Sequence, residues 1–158
     1  MGLRAARWSL LVAGASSAGI AVLHVCIALV GPTAYTYFGA ADLAPSARAG
    51  SPVPAVITIG LAIVFGLWAW YAFGGARIAR KPPLLTVGIW VIGAIYVLRG
   101  AMLLPELLSL GRGGGTPPRF AMFSFVSLAT GIAYLLGALG LRRQRSDDRG
   151  FGGRVPTR

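Results

Sequence analysis

Two side chains with hydrogen-bonding or acid–base chemistry lie inside otherwise apolar runs, His24 in the first run and Arg99 in the third. A guanidinium presents a planar fork of donors that suits anionic and carbonyl oxygens, and an imidazole donates, accepts or exchanges a proton near neutral pH. Tyr96 lies three residues before Arg99 and Glu106 seven residues after it, so both share its helix face if the helix continues through Pro105. These residues are the strongest candidates in the chain for binding chemistry.

Four apolar runs of about 21 residues each must position these side chains. They are Leu10–Val30, Val53–Phe73, Leu84–Leu104 and Phe120–Leu141. At about 1.5 Å per residue, each run spans roughly 30 Å, which matches the hydrocarbon core of a bilayer. We therefore expect an all-α fold, a four-transmembrane-helix bundle with up-down topology, over residues 1–141.

The composition excludes a soluble protein. Hydrophobic residues make up 56% of the 158-residue chain and charged residues only 12%, about half of what a soluble domain carries. The net charge of +11 is compatible with nucleic-acid binding, but the basic residues lie between and after the apolar runs. That distribution indicates membrane topology and lipid headgroups, so we expect no nucleic-acid partner.

The sequence contains few side chains that could ligate a metal or a cofactor. A catalytic metal usually takes three protein ligands, whereas the chain has one His, one Cys and four acids. Cys26 lies inside the first run and has no partner for an intramolecular disulfide. We therefore expect no metal and no cofactor.

The basic residues predict the orientation in the membrane. Eleven lie in the N-terminal segment, the second loop and the segment after Leu141, against three in the first and third loops. Because Lys and Arg stay on the cytoplasmic side, we expect both termini in the cytoplasm. The preference for Arg over Lys and the abundance of Ala and Gly suggest a GC-rich bacterial genome, so we expect the bacterial inner membrane. Residues 142–158 read as a basic, disordered cytoplasmic tail. It either binds anionic inner-leaflet lipids or is solvated and only fixes the topology.

The polar residues of the spans share one depth. His24 and Arg99 both lie about 21–22 Å from the inner boundary, in the outer third of the membrane. The other spans and the first loop add further polar residues near this level: Thr58, Ser124, Ser127 and Asp42. Two interpretations stay open. One is a small pocket open to the outside, in which Arg99 binds an anionic or carbonyl group. The other is a structural network in which Arg99 pairs with Glu106 or Asp42 and His24 bonds a serine or the backbone.

Small residues predict close helix packing, because lipid supplies no hydrophobic drive for helix association. The pairs are Gly14 with Ala18, Ala15 with Gly19 and Ala133 with Gly137, and the third run adds Gly88 and Gly93. Whether such a surface packs inside the bundle or against a second copy or another membrane subunit stays open. The first loop also contains an aromatic stretch, Thr33–Leu43, that favours an interfacial helix or lid.

Two short segments resemble a known group of proteins. His24–Ala40 (HVCIALVGPTAYTYFGA) is similar to the first span and outer loop of small four-span bacterial inner-membrane proteins. Ala94–Gly100 (AIYVLRG) resembles their third span. The group has no established activity, so the resemblance implies a fold and no mechanism.

Three classes of function follow from these observations. The first is a non-enzymatic membrane protein that binds a small ligand or lipid, or an accessory membrane subunit. The second is an oligomeric transporter or channel component, although the polar layer has no counterpart on the inner side. The third is an intramembrane enzyme acting on lipid or quinone, with His24 and Arg99 as its catalytic pair.

The orientation generates a first prediction. A reporter protein fused after Arg158 is expected to be active if it works only in the cytoplasm, because eleven of the fifteen basic residues lie on that side. Enzyme assays of the fusion in intact cells measure this. Activity of a reporter that works only outside the cytoplasm would contradict the orientation and, with it, a pocket open to the outside.

Overall fold

The structure, a computed structural model, describes the backbone of residues 2–151 and the side chains of residues 4–143. Within this part the chain is helical and contains no strand. The helices are α1 (Leu3–Val30), α2 (Pro32–Phe38), α3 (Ala44–Arg48), α4 (Val53–Gly75), α5 (Leu85–Gly100), α6 (Leu103–Gly111) and α7 (Pro118–Phe151), with a 3-10 helix at Ala41–Leu43 between α2 and α3.

Four stretches are long and apolar enough to cross a membrane. They are Arg4–Val30, Val53–Gly75, Leu85–Gly111 and Pro118–Arg143. Many of their large apolar side chains are exposed, including Leu29, Val56, Leu98 and Phe125, as expected for helices whose outer surface contacts acyl chains. The all-α class and the four predicted spans are therefore confirmed, and the chain is a multi-pass membrane protein.

The third span differs from the prediction of one continuous helix over Leu84–Leu104. It is interrupted at Ala101 and Met102, where α5 ends and before α6 begins. The cause is Pro105, which lacks the N–H that would bond the carbonyl of Ala101, and whose ring clashes with that carbonyl. The N–H of Leu104 bonds the Ala101 carbonyl instead, at 3.3 Å. The seven-residue spacing of Arg99 and Glu106 consequently no longer determines whether they share a face.

The described residues form two compact units. One consists of the residues up to Gly14 and those from Trp70 onward, and the other is Ala15–Ala69. In the first unit, the start of α1, the end of α4, the start of α5 and the late part of α7 meet around Gly75. A methyl group on Gly75 would lie 2.9 Å from both Leu10 and Ile89 and 3.6 Å from Leu141. Starts and ends alternate at this meeting point, so the four long helices run up and down in turn.

Within the first unit, α5 and α7 pack antiparallel at very short distance. A Cβ on Gly100 would lie 2.6 Å from the Leu128 backbone, and one on Gly131 would lie 2.7 Å from the Val97 nitrogen. A Cβ on Gly93 would lie 2.8 Å from the side chain of Leu135. Residue numbers rise along one helix as they fall along the other, and at Gly100 and Gly131 the missing side chain lets the backbones approach.

The turn between α4 and α5 is held by backbone geometry. Arg77 adopts a left-handed conformation with φ of 61°, and the N–H of Ile78 bonds the Phe73 carbonyl at 3.1 Å, which closes α4 with a Schellman motif. The Tyr71 hydroxyl donates to the Pro83 carbonyl at 3.1 Å. These bonds keep the connection to α5 short.

The second unit contains the connection between the first two spans. Tyr35 of α2 is buried with Ile27, Ala34 and Ala44. The stretch Thr33–Leu43 is largely helical, because it consists mainly of α2 and the following 3-10 helix.

The last helix continues to Phe151. Its end overlaps residues 142–151 of the segment for which the sequence predicts a disordered tail, and residues 152–158 lie outside the described part. The basic charge predicted for this segment begins with Arg142 and Arg143, which are both exposed.

The glycine contacts generate a second prediction. Gly131→Ala is expected to destabilise the protein by about 1–3 kcal/mol, because the added methyl group meets backbone that cannot rotate away. Thermal or SDS-induced unfolding in micelles measures the change. Gly66→Ala is the matched control, since nothing lies within 4 Å of its Cβ position, and a transmembrane Gly→Ala change without a clash is expected to be neutral or slightly stabilising. Equal effects of the two substitutions would show that α5 and α7 are not so closely packed.

Candidate binding site at Arg99

Arg99 is the next-to-last residue of α5, about 21 Å along the helix axis from Leu85. Its Nη1 donates a hydrogen bond to Oγ of Ser124 on α7, at 2.8 Å. The arginine side chain is exposed, whereas Ser124 is completely buried. The serine therefore anchors one edge of the guanidinium to the helix pair, while the rest of the group stays accessible.

The close packing of α5 and α7 explains how these two residues meet. Gly100 follows Arg99 and has no side chain to hold α7 away, so the Leu128 backbone lies directly against it. Ser124 comes one helical turn before Leu128. This places its hydroxyl within reach of an arginine side chain extending from the end of α5.

The guanidinium has more donors than the described residues use. Arginine carries five N–H groups, and the bond to Ser124 employs one of them. A charged side chain within a span costs about 2.5–3.5 kcal/mol at the membrane centre on insertion scales, and less near a helix end. The N–H groups of Arg99 that have no described partner are available to a group with several oxygens from outside the chain.

Glu106 takes a different position from the one predicted in the structural interpretation. It lies on α6, beyond the interruption at Ala101 and Met102. Its Oε2 atom is buried and has no hydrogen-bond partner within the described part of the chain. The described hydrogen bond of Arg99 goes to Ser124 rather than to this carboxylate.

Tyr96 points into the helix packing one turn before Arg99. Its side chain is only 3% exposed, and its ring stacks on that of Tyr134 with a centroid distance of 5.7 Å and an interplanar angle of 16°. The two rings lie between α5 and α7 below the arginine. Tyr96 thus supports the helix pair from which Arg99 extends.

The other predicted hydroxyl groups bond within their own helices. Ser127 donates to the Phe123 carbonyl at 3.0 Å and Thr58 to the Pro54 carbonyl at 2.8 Å. Such bonds to the residue four positions earlier satisfy a hydroxyl locally. Neither one identifies a ligand site.

His24, Thr58 and Asp42 belong to the second unit. Nδ1 of His24 lies 2.8 Å from the Ile20 carbonyl, and the imidazole ring packs 4.9 Å from the ring of Phe65. Asp42 is exposed in the 3-10 helix. The shared depth of His24 with Arg99 stays a prediction.

Sequence reasoning missed the residues that close the far end of the first unit. The hydroxyls of Ser109, in α6, and Thr116, in the loop before α7, form a hydrogen bond of 2.9 Å. The guanidinium carbon of Arg119 lies 5.1 Å from the centroid of the Phe120 ring. Gly100 was missed as well, although its position beside Arg99 and before a proline was a usable signal. The Ser109–Thr116 contact joins the end of α6 to the loop that precedes α7.

The donor set of this site suits anions and carbonyls. Among the residues that the structure describes, no three His, Cys, Asp or Glu side chains come together to hold a metal ion. Comparisons with protein-family models, curated proteins and solved structures find no match for the chain. Any proposed function must therefore rest on the chemistry of Arg99 and its surroundings.

The pairing of Arg99 generates a third prediction. In a double-mutant cycle, Arg99→Gln and Ser124→Ala are expected to couple by about 1.5–3 kcal/mol, the usual strength of a hydrogen bond to a charged group. Arg99→Gln and Glu106→Gln are expected to couple by less than about 0.5 kcal/mol. Free energies of unfolding in micelles supply both values. A larger coupling with Glu106 than with Ser124 would assign Arg99 to the salt bridge of the structural network.

Proposed function

We propose that this membrane protein binds the anionic or carbonyl group of a small ligand or lipid at Arg99 and does not catalyse a reaction. One observation carries the proposal: within the third span, at the end of α5, an exposed guanidinium has a single described hydrogen bond, to a buried hydroxyl. Ionisable side chains within membrane spans are rare, and they generally serve a ligand, an ion path or a partner.

The hydrogen bonding around Arg99 favours a ligand over a purely structural role. A structural arginine in a low-dielectric setting needs most of its donors satisfied by the protein, because each unmet donor costs free energy. Arg99 has one described hydrogen bond, and its side chain is exposed. A carboxylate, phosphate or carbonyl would complete the fork with parallel hydrogen bonds.

Two other functions remain as outcomes of the test. An oligomeric transporter or channel component would use Arg99 as one binding position along a substrate path formed by several copies of the chain. An intramembrane enzyme acting on lipid or quinone would need a proton-transfer group, and His24 is the only histidine in the sequence. The Nδ1 contact of His24 with the Ile20 carbonyl favours a structural role for this ring.

The proposed setting is the bacterial inner membrane with both termini in the cytoplasm, which places Arg99 in the outer half. The distribution of basic residues supports this orientation. At the end where α1 starts and α4 ends, the described residues include seven exposed basic side chains: Arg4, Arg7, Arg77, Arg80, Lys81, Arg142 and Arg143. Their density is typical of a cytoplasmic face.

Binding at Arg99 generates a fourth prediction. Native mass spectrometry of the full chain, extracted with its own membrane lipids, is expected to show a bound small molecule or lipid. Arg99→Gln is expected to lower its occupancy about tenfold, because one hydrogen-bonded charge contact is lost. Arg112→Gln is the matched control, an exposed arginine in the loop after α6, and is expected to leave the occupancy unchanged.

The same spectra separate the alternatives. Identical adducts in Arg99→Gln, Arg112→Gln and the unmodified protein would overturn binding at Arg99. A chemically altered adduct that disappears with His24→Gln would favour the enzyme. Loss of a defined oligomer in Arg99→Gln would favour a subunit contact.

A further inference from the structure

A second polar feature lies at the opposite end of α5, near Gly75 and the meeting point of the four long helices. An open cavity of about 250 Å³ is lined by Thr86, Val87, Trp90 and Arg142. Three of these residues come from the first turns of α5, and Arg142 comes from the late part of α7. The sequence analysis did not identify this cavity, because it requires two segments more than fifty residues apart.

The lining residues carry the chemistry of a phosphate site. The guanidinium of Arg142 can bond two phosphate oxygens in parallel. The Thr86 hydroxyl and the Trp90 indole N–H are further donors. Among the residues that the structure describes, no acidic side chain lines the cavity.

The size of the cavity and its level along α5 fit a lipid headgroup. It is smaller than the roughly 300–1,000 Å³ that encloses a drug-sized molecule. Trp90 lies about 7.5 Å along the axis from the start of α5, at the level where tryptophan is enriched in membrane proteins. A phosphate bound between Thr86 and Arg142 would lie just beyond this ring.

An apolar stripe leads away from the cavity along α5. Val87, Val91, Ile95 and Leu98 are all exposed, and their spacing places them on one face of the helix. From Val87 to Leu98 the stripe is about 16 Å long, close to the half-thickness of about 15 Å that one leaflet of acyl chains occupies. This face contacts acyl chains, as the outer surfaces of the other spans do, so the chains of a phospholipid bound at the cavity would lie along it.

We infer that the cavity binds the phosphate of an anionic phospholipid, whose acyl chains lie along the exposed face of α5. Basic side chains at the same end of the molecule increase the local concentration of such lipids. The Arg99 site is not part of this inference, because it lies at the other end of the helix.

The test titrates the delipidated full chain in detergent and follows the first bound molecule by native mass spectrometry. The probes are dioleoyl phosphatidylglycerol, dioleoyl phosphatidylcholine, dihexanoyl phosphatidylglycerol and inorganic phosphate. We expect the long-chain anionic lipid to bind tightest. Arg142→Gln is expected to weaken its binding about tenfold, and Arg142→Lys by less, because lysine keeps the charge but loses the fork.

Arg143→Gln is the matched control. It removes a neighbouring exposed charge that does not line the cavity, and it is expected to weaken binding no more than about threefold. If Arg142→Gln does not fold, Arg142→Lys compared with Arg143→Lys decides instead.

Three results would overturn the inference. Equal losses in the Arg142 and Arg143 variants would mean diffuse attraction without a site. Equal binding of phosphatidylcholine would remove the role of net negative charge. Displacement of the lipid by inorganic phosphate, or equal affinity of the short-chain lipid, would identify a soluble anion as the ligand and remove the role of the acyl chains.

Discussion

The close antiparallel contact of α5 with α7 is the constraint on which the rest of the first unit depends. Acyl chains are as apolar as leucine, so burial of apolar surface gives these helices no reason to associate. Van der Waals contact between backbones must do so, and that contact requires residues without side chains. Gly100 and Gly131 supply it, and Gly93 makes room for the side chain of Leu135. Each of them removes the atom that would otherwise separate the two helices.

This contact also determines where the chemistry lies. With the backbones pressed together at Gly100, Ser124 comes within hydrogen-bonding distance of Arg99. Towards the other end of the same pair, Arg142 of α7 lies with Thr86 and Trp90 of α5 around one cavity. This helix pair therefore has an arginine near each of its two ends. Arg99 of α5 bonds the Ser124 hydroxyl of α7, and Arg142 of α7 lines a cavity together with Thr86 of α5. Stacked Tyr96 and Tyr134 fill the space between the two ends.

The sequence predicted the spans well because apolar length is a local property. The four runs, the all-α class and the alternating helix directions follow from hydropathy and chain order alone. Some packing glycines were also visible in the sequence: Gly14 meets Phe73, Gly88 meets Tyr71 and Gly137 meets Leu10. The open surroundings of Gly19 show that spacing by itself does not identify a contact.

What could not be predicted depends on register between helices. Nothing local indicates that Arg99 bonds Ser124 rather than Glu106, since the choice is made by how far α7 slides along α5. The interruption after Gly100 affects the same choice, because the seven-residue spacing of Arg99 and Glu106 no longer determines whether they share a face. Pro105 was a local signal for that break. The position of the break, several residues before the proline, becomes clear only from which carbonyls lose their donors.

The interruption lies inside the third span, because α6 continues the apolar stretch to Gly111. The 27 residues of Leu85–Gly111 extend about 40 Å, more than the roughly 30 Å of a typical hydrocarbon core. A span that exceeds the core is accommodated by tilting or kinking. Because the break at Ala101 and Met102 follows Arg99 closely, a change in the angle between α5 and α6 changes the depth of the guanidinium. Acyl-chain length thus becomes a variable that acts directly on this arginine.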